Sequence, residues 1–255
     1  MTLAEGAILE TSFVVSTLSP ATLARLLPDQ QSLPHLSYNP ATSVGVVNLV
    51  FPVPPQEIHP PGFGYLVPRT ADSSIFLRDG SLQKNPNPDG IIGVIFDSTS
   101  MTGVEDSPLI ASHFTKLTVM MGGPHWSSYP SDPFDPDTPP IPMPQASELA
   151  EKAMGHLKKV FPTIPPPVLA EGHISKDCIP TYLIGHGQRL RQLHEHMSKS
   201  AWSGKLVLLG SGYGGVGVND CVGMAEQAVE NLAVAWEQPA ASVSVTGLER
   251  WQEWQ

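Results

Sequence analysis

The sequence has few basic residues, few cysteines and no long apolar run, and each shortage excludes a class of protein. It holds 14 Lys and Arg against 24 Asp and Glu, a formal net charge of −10. Nucleic-acid-binding domains usually carry a basic surplus, so we expect no nucleic-acid partner. Cys178 and Cys221 are the two cysteines, too few for a disulfide framework, and we expect buried thiols.

The sequence also lacks the patterns of membrane-spanning and targeting segments. No stretch approaches the roughly 18 consecutive apolar residues of a transmembrane helix. The opening residues, MTLAEGAILETSF, have neither the Arg-rich pattern of a transit peptide nor the apolar centre of a signal peptide. We therefore expect no spanning helix and no targeting segment in these residues.

Motifs for metal binding and for nucleophilic catalysis are missing as well. His194 and His196 are two positions apart, so on a helix they do not share a face with each other. The sequence contains no H-E-x-x-H zinc motif, at His186 or at any other histidine. No G-x-S-x-G nucleophile elbow is present. The sequence predicts neither a metal site nor a Ser–His–Asp triad.

Proline, in contrast, is abundant, and the 27 prolines mark long irregular connections. Residues 127–145 are a predicted surface loop. Apolar periodicity and capping residues predict strands at 11–17, 43–51, 91–97, 116–122 and 168–174, and helices at 20–27, 147–160 and 187–199.

One stretch, 205–233, combines a strand, a glycine-rich turn and a helix. Residues 206–209 are all apolar, which is typical of a strand covered on both faces. Asn219 and Asp220 supply helix caps. Between the apolar run and these caps lie five glycines, at 210, 212, 214, 215 and 217. After the caps, four apolar residues follow at helical spacing, at 222, 225, 229 and 232.

Two interpretations of this turn remain open. Gly210, Gly212 and Gly215 fit the G-x-G-x-x-G pattern of a dinucleotide-binding turn. However, that pattern normally opens a domain, and only about 40 residues follow here. The alternative is a glycine-rich turn that binds no ligand.

Four motifs carry a resemblance to a known family. They are G-F-G-x-L-V-P at 62–68, T-V-M-x-G-G at 118–123, C-I-P-x-Y-x-x-G-H at 178–186 and G-V-G-V-N-D-C at 215–221. In this order they resemble the C-terminal half of the protoporphyrinogen oxidase family, of the FAD-dependent, amine-oxidase-like superfamily. The resemblance extends from about residue 11 to 233. It departs from the family at Gly187, where many relatives have Trp, and at 69–89, where the family is usually shorter and the resemblance implies an inserted surface loop.

The resemblance implies an α/β (α+β) fold with two parts. Residues 19–200 would form a substrate-binding domain of mixed, largely antiparallel sheet with helices. Residues 1–18 and 201–255 would form the C-terminal strand–helix portion of a Rossmann-like FAD domain. The N-terminal half of the family's protein would be absent, so the isolated chain is expected to be a truncated form with little or no activity.

The resemblance also implies a function, namely oxidation of protoporphyrinogen IX to protoporphyrin IX in haem biosynthesis, with FAD as cofactor and oxygen as acceptor. Residues that would hold the substrate are Phe63, Gly64, Leu66 and Met120. Residues that would contact FAD are Val14, Leu193, Val216, Gly217 and Val218. For Val14, Phe63, Met120 and Leu193, a plain core position remains an alternative.

Location and partners follow from the same resemblance. It implies the mitochondrial inner membrane, with peripheral association and a homodimer as open expectations. Two other functions stay under consideration. One is a non-catalytic porphyrin-binding or interaction module, and the other is a small NAD(P) protein that uses the turn at 210–215.

Overall fold

The chain folds into two compact units in the computed structural model, which describes residues 6–28, 32–67, 74–76, 82–84, 87–100, 113–126, 142–237 and 244–252. The central unit is Thr42–Ile179, and the terminal unit combines Met1–Ala41 with Pro180–Gln255. The compact units therefore divide after residues 41 and 179, whereas the predicted domains divide after 18 and 200. The assignment of flavin and substrate roles to the two parts stays a prediction.

A five-stranded sheet organises the central unit. Its strands are β2 (Ala41–Phe51), β3 (Gly64–Leu66), β6 (Ile91–Ile95), β7 (Thr115–Gly122) and β8 (Leu169–Pro180), in the order β3-β6-β7-β2-β8. The pairs β3–β6, β6–β7 and β2–β7 are antiparallel. A separate hairpin pairs β4 (Ser74–Phe76) with β5 (Leu82–Lys84). The predicted mixed α/β fold with a largely antiparallel sheet is confirmed.

One helix covers the first face of this sheet. Helix α3 (Ala146–Val160) begins with the Glu148 carboxylate accepting the Gln145 backbone N–H at 2.9 Å, which stabilises the first turn. Buried Leu149, Ala153 and Leu157 pack against the alternate buried residues of the strands. The short helix α2 (Asp97–Ser100) follows β6. Val160, the last residue of the helix, is exposed.

The terminal unit is built on two parallel strands and three helices. Strand β1 (Val14–Ser16) pairs with β9 (Leu206–Leu208). The helices are α1 (Pro20–Leu26), α4 (His186–Lys199) and α5 (Val218–Glu237). Ser19 caps α1, because its hydroxyl accepts the Thr22 N–H at 3.3 Å. All three residues of β9 are buried, as the apolar run predicted.

Helix α5 does not bury the apolar stripe that its sequence indicated. Val222 and Val229 are 50% and 66% exposed, whereas Met224 and Ala228, on an adjacent stripe, are buried in the core. Both stripes have helical spacing. Met224 and Ala228 belong to the same core cluster as the buried residues of β9, so their stripe faces inward. Val222 and Val229 therefore lie on the surface of the helix, whereas Leu232, the last of the four residues at helical spacing, packs against the core.

Two further sequence expectations differ or fall outside the description. Cys178 is an exposed free thiol and Cys221 is half-buried, so the expectation of two buried thiols is wrong for the first. The loop predictions at 69–89 and 127–145 lie largely outside the described residues. Within the described ranges no helix is both long and apolar enough to cross a membrane.

Candidate functional site

The second face of the central sheet, opposite α3, carries an apolar row that crosses four strands. Leu66 on β3 pairs with Gly93 on β6, which pairs with Met120 on β7. Met120 pairs in turn with Val46 on β2. Directly paired residues point to the same face of an antiparallel sheet. Two predicted substrate residues, Leu66 and Met120, therefore share this row, which we call the apolar row.

Glycine in the middle of the apolar row lets the flanking side chain lie over the sheet. A Cβ at Gly93 would be 3.0 Å from Cδ2 of Leu66, so the leucine side chain reaches across the empty position. Leu66 is nevertheless 80% exposed, and Met120 is half-buried. The row is thus a shallow apolar surface that is open to a flat partner.

The other two predicted substrate residues, Phe63 and Gly64, lie at the start of the same edge strand. Gly64 has φ +149°, and a Cβ there would overlap the backbone of Val94 on the neighbouring strand. Glycine is therefore required by strand packing at this position. Phe63 is 72% exposed, so the alternative of a core phenylalanine is not what the structure shows.

In the terminal unit the glycine loop, residues 210–217, is packed too tightly for side chains at several positions. A Cβ would overlap the ring of Pro20 if placed at Gly212, and the side chain of Met224 if placed at Gly214. At Gly215, where φ is +141°, it would overlap the Asp220 carboxylate. Internal packing therefore explains these glycines without a ligand.

The end of the glycine loop exposes the first turn of α5. Gly217 donates its N–H to the Asp220 carboxylate at 3.1 Å, which is the reciprocal half of a capping arrangement. Val216 and Val218 on either side are exposed, the latter by 79%. The positive end of the helix dipole therefore lies between two accessible apolar side chains.

The remaining predicted cofactor residues have more ordinary surroundings. Leu193, on α4, is 1% exposed and belongs to the core of the terminal unit. Val14 is half-buried on β1 and packs against the same core. Their positions favour packing roles, and contact with a cofactor stays a prediction for both.

Tyr182 contacts the glycine loop, a role that the sequence motifs did not reveal. Tyr182 donates its hydroxyl to the Ser211 carbonyl and accepts the Gly215 N–H at 3.0 Å. Its ring stacks on His186 at 3.9 Å between centroids. Both residues belong to the quoted C-I-P-x-Y-x-x-G-H motif, so the motif could have drawn attention to them.

Two buried histidines in the terminal unit have lowered pKa values. Burial is the main cause of the lowered pKa of His186; Arg189 and Arg250 lower this pKa further, and the backbone of Tyr213 opposes them. Burial also lowers the pKa of His194, against the opposing charge of Glu249. Both rings are therefore held in the neutral form near neutral pH.

We expect acid to destabilise the terminal unit through these two rings. Their folded pKa values lie below the unfolded value of about 6.5, so the unfolded chain binds more protons below that pH. Stability is then fully present above about pH 6.5 and falls as the pH drops through the folded values. Urea titrations from pH 7.5 to 5.5 should show this loss.

Two variants on α4 test whether the His194 imidazole contributes to this pH dependence of stability. His194 is hydrogen-bonded to Thr246 at 2.7 Å and to Gln252 at 2.5 Å. His194→Gln should lower stability at pH 7.5 and reduce its pH dependence. His196→Gln, at an exposed position on the same helix, should change neither, and an unaltered pH slope in His194→Gln would contradict the assignment.

The chain is similar in sequence to proteins named protoporphyrinogen oxidase. A human protein named protoporphyrinogen oxidase is 31% identical over 228 residues, covering 88% of this chain and 41% of that protein. The Schizosaccharomyces pombe protein of that name is 29% identical over 214 residues, covering 84% and 37%. The resemblance drawn from the motifs is confirmed. The chain spans about two fifths of the length of these relatives, and no protein-family model matches it.

Solved structures show the same kind of fold. A crystal structure from Exiguobacterium sp. 255-15, provisionally named protoporphyrinogen oxidase, has a TM-score of 0.61 at 21% identity, covering 87% of this chain and 41% of that one. Reduced UDP-galactopyranose mutase gives 0.50 at 12% identity, covering 77% and 35%. In the part of the chain that the structure describes, no group of three or more His, Cys, Asp or Glu is placed to hold a metal ion.

Proposed function

We propose that the chain takes part in FAD-dependent oxidation of protoporphyrinogen IX to protoporphyrin IX, with oxygen as acceptor. The likeness to curated protoporphyrinogen oxidases supports a related oxidoreductase function. The apolar row is the observation that carries the choice of substrate. We extend the proposal, on the same likeness, to the mitochondrial inner membrane and to a homodimer.

The apolar row suits a flat tetrapyrrole in shape and polarity. Leu66 and Met120 stand on either side of Gly93, and the Leu66 side chain lies over the glycine, so the row presents a low apolar surface on which a planar molecule can lie. A methionine sulfur makes favourable contacts with π-surfaces. Phe63 at the edge adds an exposed aromatic ring. In this proposal these residues bind and orient the macrocycle and exclude water from its apolar face.

The first turn of α5 fits a flavin in its chemistry. Val216 and Val218 offer accessible apolar contacts, and backbone N–H groups at a helix N-terminus favour electron-rich and anionic groups. Gly217 between them carries no side chain, and its N–H is held by the Asp220 carboxylate at 3.1 Å. The cofactor supplies the two-electron chemistry when bound, and this chain's residues would place and desolvate it.

Porphyrin titration tests the substrate assignment. We expect protoporphyrin IX to quench the chain's fluorescence saturably. Leu66→Glu should weaken binding about tenfold or more, since covering an exposed leucine side chain with an apolar ligand contributes about 1.5–3 kcal/mol. Val168→Glu is the matched control, because Val168 is also an exposed apolar residue of the central unit. Equal loss in both variants, or no saturable binding, would refute the assignment.

A turnover assay tests the reaction itself. Because the chain spans about 41% of the human relative, we expect little porphyrinogen oxidation above autoxidation from the chain alone. Clear FAD-dependent turnover would contradict that expectation while supporting the reaction. Absence of flavin from the desalted protein would remove the flavin assignment for this chain.

A non-catalytic porphyrin-binding module is the second candidate. One observation favours it: the predicted porphyrin contacts lie wholly within the central unit, which contains none of the predicted flavin contacts. This candidate predicts the same porphyrin affinity with and without FAD and no flavin retained after desalting. A porphyrin affinity that rises when FAD is added would exclude it.

A further inference from the structure

The phenol of Tyr182 spans the glycine loop from one side to the other. Its hydroxyl donates to the Ser211 carbonyl and accepts the Gly215 N–H at 3.0 Å. Two backbone groups four residues apart are thus joined through one oxygen atom. Gly215 has φ +141°, a conformation that side-chain-bearing residues rarely adopt, and its N–H has this phenol as its partner.

The ring of Tyr182 is itself fixed by the start of α4. It lies parallel to the His186 imidazole, with 3.9 Å between centroids and 10° between planes. His186 Nδ1 lies 2.9 Å from Nδ2 of Asn39, an amide donor, so this ring nitrogen accepts. The lowered pKa of His186, caused mainly by burial, agrees with this neutral acceptor state.

Asn39 is held in turn by α4 and the turn before it. Its side-chain oxygen accepts from Arg189 Nη2 at 3.3 Å and from the Leu183 N–H at 3.4 Å. The Arg189 guanidinium also donates to the Leu183 and Ile184 carbonyls at 2.9 and 2.8 Å and lies 4.0 Å from the centre of the Tyr38 ring. The support behind Tyr182 is therefore a connected set of hydrogen bonds and ring contacts.

Other contacts also hold the glycine loop, among them the Cys221 thiol, which donates to the Gly215 carbonyl at 3.9 Å. Arg250 donates to the Gly214 carbonyl, and Asp220 accepts from Gly217. A flexible loop of glycines loses much backbone entropy on ordering, so its conformation depends on such fixed points. Tyr182 joins the loop's beginning at Ser211 to Gly215, in the segment that leads into α5.

We propose that Tyr182 is a positioning residue, which sets the glycine loop and thereby the orientation of the exposed N–H groups at the first turn of α5 toward a bound flavin. This inference rests on the proposed function for its ligand. The loop-setting role itself needs no ligand, so the two can be tested separately.

Amide hydrogen exchange of the purified chain tests the loop-setting role. Tyr182→Phe keeps the ring stack and removes only the bridging hydroxyl. We expect the Gly215 amide to exchange about three- to tenfold faster, as for the loss of one hydrogen bond. Tyr213→Phe is the matched control, because the Tyr213 hydroxyl is buried and has no hydrogen-bond partner among the described residues. It should leave the Gly215 rate unchanged.

Flavin binding tests the positioning role. In FAD titrations followed by flavin fluorescence, Tyr182→Phe should weaken affinity about two- to tenfold and shift the bound flavin spectrum, with the melting temperature nearly unchanged. An unaltered Gly215 rate overturns the inference whatever the flavin result. Faster exchange with unaltered FAD affinity overturns the positioning role. A wild-type chain that binds no FAD refutes the proposed function instead, together with the flavin part of this inference.

Discussion

Replacing Gly215 with alanine is expected to destabilise the terminal unit by about 2–4 kcal/mol. The backbone there has φ +141°, and a Cβ would overlap the Asp220 carboxylate. Positive φ costs a non-glycine residue about 1–3 kcal/mol. The displaced Asp220 would also lose its hydrogen bond with the Gly217 N–H, and a helix cap contributes about 0.5–2 kcal/mol.

Urea unfolding of the intact chain measures this effect, and α5 offers a control of opposite sign. A Cβ at Gly223 meets nothing within 4 Å, and this glycine lies inside the helix. Gly223→Ala should therefore stabilise the chain by about 0.5–1 kcal/mol. If Gly215→Ala were as stable as the wild type, the loop conformation described here would be wrong.

The glycine loop shows how far the sequence could predict this region. The strand, the turn and the helix follow from apolar runs and caps, and they lie close to the predicted positions. The reason for the glycines does not follow from the pattern. Gly212 is required by Pro20, nearly 200 residues away in the chain, and only the folded core reveals that contact. A G-x-G-x-x-G match therefore indicates a tightly packed turn, and by itself it does not indicate that the turn binds a ligand.

Helix α5 shows a second limit of the sequence. Residues 222, 225 and 229 form one apolar stripe and 224 and 228 another, and hydrophobic spacing alone does not rank them. The core of the terminal unit uses Met224 and Ala228. The choice depends on the shape of the surface that β1, β9 and the 3-10 turn at Glu249–Trp251 present, which periodicity does not describe.

The apolar row shows what the resemblance added beyond periodicity. Alternation predicts that β7 has two faces, but it does not say that Leu66 and Met120 share one of them. Their alignment depends on the irregular register of β6, where Ile91 pairs with Met121 while Gly93 pairs with Met120. That shift of one residue puts Gly93 beside Met120. A bulge of this kind has no reliable signature in a single sequence.

Leu193→Ala is expected to destabilise the chain by about 2–5 kcal/mol, the usual range for truncating a buried leucine. The Leu193 side chain is 1% exposed and packs in the same core as Met197 and Tyr213. Leu193→Met, which keeps most of the volume, should cost less than about 1.5 kcal/mol. Urea unfolding at pH 7.5 measures both, so that the two buried histidines remain neutral.

The same variants decide between a packing role and cofactor contact at Leu193. If the side chain only packs, Leu193→Met should leave FAD affinity unchanged, and Leu193→Ala should lose stability whether or not FAD is present. If the side chain contacts the flavin, FAD affinity should fall in Leu193→Met although stability is nearly retained. His196→Ala, exposed on the same helix, should alter stability by less than about 0.5 kcal/mol. Because the side chain is enclosed by the core, we expect the packing result.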